Sequence, residues 1–86
     1  MNIAQRLKLD FYVSGKNYLE SKGVDCCGWT TKYRPVTYGW EFEVFDDKGE
    51  RVLHIYCEAD KQLAEFSYKD NPIAEGLAAI FKRVRV

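Results

Sequence analysis

Hydrophobic and polar residues alternate with period two through the middle of the chain and recur with a helical period toward its ends. Trp40, Phe42 and Val44 fall on one side of an extended segment, with Glu41, Glu43 and Phe45 on the other, because successive strand side chains point to opposite faces. The stretch DDKGE follows, a short Gly-containing hairpin connection. On the return strand Leu53, Ile55, Cys57 and Ala59 form an apolar row against Val52, His54, Tyr56 and Glu58. After a turn at ADKQ, Ala64, Phe66 and Tyr68 alternate with Glu65 and Ser67. Upstream, WTTKYR sets Trp29, Thr31 and Tyr33 against Thr30, Lys32 and Arg34. Pro35 has no N–H to donate, so it ends this strand or places it at an edge.

The flanks read as helices. Asn2 is an N-cap with Gln5 at the capping-box position. Ile3, Leu7, Phe11 and Tyr18 line one stripe, with Ala4 and Leu19 beside it, and ESKGV supplies a Gly stop followed by an apolar residue. A competing strand pattern, Leu7, Leu9, Phe11 and Val13 against Arg6, Lys8 and Asp10, also fits residues 6–13; the two caps favour the helix, with Ser14-Gly15 as its weak point. Asn71 and Pro72 open the last element as N-cap and first helical residue. Ile73, Leu77, Ile80, Phe81 and Val84 then fall on one stripe. The expected architecture is α+β: a single domain over residues 1–86, with helices about 3–21 and 72–84 on one face of a three- or four-stranded antiparallel meander. The strands are expected at about 29–34, 39–46, 51–59 and 63–68.

A chain of 86 residues forms one core. Its 47% hydrophobic content supplies that core without disulfide or metal staples. No run of about 18 apolar residues occurs, so no membrane span is expected, and MNIAQRLKLDFYVSGK lacks a signal-peptide core. Cys26, Cys27 and Cys57 form an odd set with two adjacent members. Reduced thiols in a cytoplasmic protein are the simpler expectation.

Charge changes the picture more than composition does. The net charge is zero, but residues 41–60 hold seven acids against Lys48 and Arg51, while both ends are basic. Cys26, Cys27, His54 and Cys57 match a zinc set by residue type. Their spacing does not, because residues 54 and 57 face opposite sides of a strand and no C-x-x-C pair exists. No metal and no cofactor are expected. His54 is the sole histidine, and its expected strand face also carries Tyr56 and Glu58, with no serine or cysteine next to it along the strand. Glu41 and Glu43 share a face, yet a solvated row with Lys32 and Arg34 as cross-strand partners explains them better than acid catalysis. Phosphate-loop motifs are absent. These readings disfavour an enzyme.

The α-β-β-β-α order resembles that of double-stranded-RNA-binding domains, and order alone carries the resemblance. In that family the last helix opens on a basic cluster; here it opens on DNPIAEG. A basic patch from Lys82, Arg83 and Arg85 is the candidate nucleic-acid surface. Acids around the sheet aromatics oppose the counterion-release term that dominates such binding. The favoured expectation is a small binding module whose face of Glu41, Glu43, Phe45, His54, Tyr56 and Glu58 docks a basic partner protein, such as nucleic-acid-processing machinery. Small phage and mobile-element inhibitors, anti-CRISPR proteins among them, share this size and lack of chemistry, by analogy only. A homodimer through the same face is the structural alternative.

Overall fold

The computed structural model describes residues 2–58 and 64–84, with side chains through Lys82. It begins with a helical rod made of α1 (Ile3–Asp10), a π-helical turn (Phe11–Gly15) and α2 (Lys16–Ser21). The strands β1 (Thr30–Val36), β2 (Gly39–Phe45), β3 (Arg51–Glu58) and β4 (Ala64–Tyr68) follow, and α3 (Pro72–Val84) closes the fold. The four strands form one antiparallel sheet in the order β1-β2-β3-β4. The turn expected at Ala59–Gln62 lies outside the described residues.

Local chemistry accounts for the helix ends. Gln5 N–H donates to Asn2 Oδ1 at 2.9 Å, and Asn2 N–H returns to Gln5 Oε1 at 3.4 Å, a complete capping box. At the other end Gly23 takes φ +75°. Gly23 N–H donates to Glu20 O and Val24 N–H to Leu19 O, both at 3.0 Å, the paired bonds of a Schellman stop. These two caps settle residues 6–13 as helix rather than strand. The π-helical turn includes the Ser14-Gly15 pair: Lys16 N–H reaches Phe11 O, five residues back. Asn71 caps α3 through Oδ1, which accepts from Ala74 N–H at 2.8 Å.

Both helical units press onto one face of the sheet. Phe11, Leu19, Leu77, Ala78 and Phe81 from the helices meet Phe42, Val44, Leu53 and Ile55 from the central strands, all essentially without exposure. Phe42 and Phe81 pack with ring centroids 5.6 Å apart, and Phe11 stacks on Trp29 at 6.5 Å. Pro35 sits inside β1, which is an edge strand, so of its two expected roles it takes the edge one.

Strict alternation fails at one place. Val52 was expected on the polar row of β3, yet it is buried in the core. Val44 pairs with Leu53 while Phe45 pairs with Arg51, so Val52 is the extra residue of a β-bulge. The bulge turns Val52 inward and carries Arg51, which alternation would place on the apolar row, to the outer face.

The helices approach closely at Gly76. A Cβ there would overlap the Tyr18 hydroxyl and ring, and that hydroxyl donates to Pro72 O at 3.3 Å. Gly76→Ala is therefore expected to destabilise the domain by about 1–3 kcal/mol in urea titration. In a Tyr18→Ala background the same change is expected to cost nothing or to stabilise by about 0.5–1 kcal/mol, since Ala is the better helix former. An equal loss in both backgrounds contradicts this packing. Phe42→Ala, at the sheet–helix contact, is expected to cost about 3–5 kcal/mol.

Candidate functional site

Among the described residues the opposite face of the sheet carries no helix, and it holds every residue of the sequence-derived partner surface. The register places Lys32 opposite Glu43 and Arg34 opposite Glu41 between β1 and β2. Between β2 and β3 it sets Glu41 opposite Tyr56, Glu43 opposite His54 and Gly39 opposite Glu58. Phe45 lies at the bulge, beside Arg51. Glu41, Glu43, Phe45, His54, Tyr56 and Glu58 thus form one patch, all of them half-buried.

The acids of this patch are engaged within the chain. Glu41 Oε1 accepts from Arg34 Nη2 at 3.3 Å, and its Oε2 lies 2.8 Å from His54 Nε2. A carboxylate only accepts, so His54 carries its proton on Nε2 and donates it. Arg34, Glu41 and His54 link three successive strands. Glu43 Oε2 accepts from Arg51 Nη1 at 3.1 Å. The face is salt-bridged across strands as expected, but its carboxylates are less solvated than expected. The Glu43 side chain is only 12% exposed, whereas Arg34 and Arg51 are 52% and 50% exposed. The carboxylates lie beneath, and the guanidinium groups fold over them. Lys32 and Arg34 were expected as partners, and among the described residues only Arg34 of the two forms an ion pair. Arg51 was missed because its position on this face depends on the bulge.

Electrostatics agree with the geometry. The hydrogen bond from His54 holds the Glu41 carboxyl below its ordinary value of 4.5; partial burial opposes this, and the Arg34 guanidinium adds to it. Below the patch, Asp46 organises the β2–β3 turn: its Oδ1 accepts from the Lys48 and Glu50 N–H groups, each at 2.9 Å. Desolvation pushes the Asp46 carboxyl up, but those two N–H groups and the Lys69 ammonium together hold it below its usual range. Lys69 Nζ bridges Glu50 at 2.8 Å and Asp46 at 3.7 Å.

Among the described residues the other sequence candidates stand apart from one another. Lys82 places its Nζ over the rings of Phe66, at 5.2 Å, and Tyr68, at 5.8 Å, so it caps the β4 aromatics. The Arg83 side chain and Arg85 lie outside the described residues. Cys57 is buried on the helix side while His54 is on the open side. Cys26 is buried, and Cys27 is an exposed loop thiol whose N–H donates to Asp25 Oδ1 at 3.1 Å. Among the described residues no group of three or more His, Cys, Asp or Glu is gathered for a metal ion. A depression of about 220 Å³ beside Arg51, Ser67 and Lys69 offers two cations, each of them already on a carboxylate. No described helix is long and apolar enough to cross a membrane.

No protein-family model matches the chain, and neither a curated protein nor a solved structure matches it.

A depressed folded-state value means that Glu41 stabilises the domain above the unfolded carboxyl range and that this stabilisation is lost as pH falls through the folded value. Urea midpoints measured from neutral pH down through 4.5 and below are therefore expected to fall less steeply for Glu41→Gln than for the wild type. Parallel curves would show that the Arg34–Glu41–His54 chain is not formed in solution.

Proposed function

We propose that this domain is a non-enzymatic binding module that docks a partner protein on the sheet face its helices leave open. One observation carries the reading: Phe45 and Tyr56 lie half-buried on the open face beside Glu41 and Glu43, whose carboxylates are already paired with Arg34 and Arg51, with the exposed Glu65 opposite Tyr56. Aromatic side chains with a neutralised surround are the composition of interface centres, where uncompensated charge is depleted. A surface whose carboxylates were free would favour a strongly basic partner. Here such a partner gains little, because it must displace Arg34 and Arg51 from Glu41 and Glu43. The partner that fits is one of mixed charge, presenting apolar side chains to Phe45 and Tyr56. Such a module acts by occupying a partner's surface, as small phage and mobile-element inhibitors do, and that likeness is analogy alone.

The test is retention of a partner from the native cells by wild-type protein, by a Phe45→Ala/Tyr56→Ala variant and by Lys16→Glu on the helix side. A stoichiometric partner held by wild type and by Lys16→Glu, and lost from the face variant, is the expected result. Equal retention by all three contradicts the reading. So does retention of no partner, and a doubled mass in light scattering that the face variant abolishes would give the face to a second copy instead.

A further inference from the structure

The β1 edge is a second surface with its own chemistry. Val36 and Gly39 flank the two-residue turn Thr37-Tyr38 and pair with each other, which makes them the hydrogen-bonded closing pair of the hairpin. Alternation then directs the backbone groups of Arg34, Lys32 and Thr30 toward β2 and those of Pro35, Tyr33 and Thr31 away from the sheet. Pro35 lacks an N–H where none is needed for the ladder. The outward N–H and C=O groups of Thr31 and Tyr33 form an open ladder, and among the described residues no backbone hydrogen bond from another element reaches them.

Three cations surround this edge. Lys32 and Arg34 stand on its open-face side. On its helix side a groove of about 230 Å³ is lined by Ala4, Gln5, Lys8, Thr31, Tyr33 and Phe42. Lys32 is exposed and, among the described residues, has no ion-pair partner, because the Glu43 carboxylate across from it is held by Arg51. A second copy of the chain fits badly. An antiparallel pairing that joins Thr31 to Tyr33 of another copy sets Lys32 against Lys32, and one centred on Tyr33 sets Lys32 against Arg34. Like charges directly opposite are destabilising.

We propose that β1 is a strand-addition site for an extended segment of a partner protein that carries acidic residues at alternate positions. The added strand bonds to the Thr31 and Tyr33 backbone, its acids face Lys32 and Arg34, and an intervening apolar side chain enters the groove beside Tyr33. This is independent of the open-face reading, since it uses none of the face's aromatic residues.

The probe is a short synthetic peptide alternating glutamate with valine, titrated into the labelled full chain and followed by amide shifts and hydrogen exchange. Protection of the Thr31 and Tyr33 amides, with shifts confined to β1 and its groove, is expected. Affinity is expected to fall by about tenfold or more for the lysine–valine analogue and for Lys32→Glu. Thr31→Pro removes an outward N–H and is expected to abolish binding while leaving the melting transition in place. Phe45→Ala/Tyr56→Ala is expected to leave the peptide response unchanged, which separates this site from the open face. No response to the acidic peptide, or an equal response to the basic one, overturns the proposal.

Discussion

At the centre of the molecule Phe42 meets Phe81, where the C-terminal helix presses onto the second strand with the two rings 5.6 Å apart. The period-two alternation of β2 does the rest. If Phe42 and Val44 face the helices, Glu41 and Glu43 must face away. The amphipathic stripes of α1, α2 and α3 have only one apolar surface to cover, so all the helical cover falls on one side. The open face is the unavoidable complement of that core.

A face left open on a domain this small must be soluble without being reactive toward everything. The chain achieves this by pairing its charges across strands. Arg34, Glu41 and His54 tie β1, β2 and β3 together, and Arg51 returns to Glu43. Ion pairs whose arginines stand half in solvent contribute little to stability, so their main effect lies in the potential they present. Arg34 and Lys69, from outside the acid-rich segment, offset part of its negative charge. A cationic surplus lies at the β1 edge, where Lys32 has no ion-pair partner among the described residues, because Arg51 holds the Glu43 carboxylate across from it, and Lys8 borders the groove.

What could be read from the residues was what local chemistry decides. The Asn2–Gln5 box, the Gly23 stop and the Asn71-Pro72 start are each set by a few neighbours in sequence, and each forms as read. The apolar row of β2 was legible for the same reason. Val52 and Arg51 were not, because a bulge is decided by how two strands pair beyond their turn. The diagonal contact of His54 with Glu41 requires that register as well, whereas the directly opposed Arg34 and Glu41 did not.

The claim that the open face is compensated rather than acidic can be measured without knowing a partner. Paramagnetic co-solutes of opposite charge report the local potential at each amide through relaxation enhancement. Along Glu41–Phe45 and His54–Glu58 the cationic and anionic probes are expected to act about equally, with the anionic probe favoured at Thr31–Arg34. A several-fold excess for the cationic probe over Glu41 and Glu43 would show free carboxylates there and contradict the account.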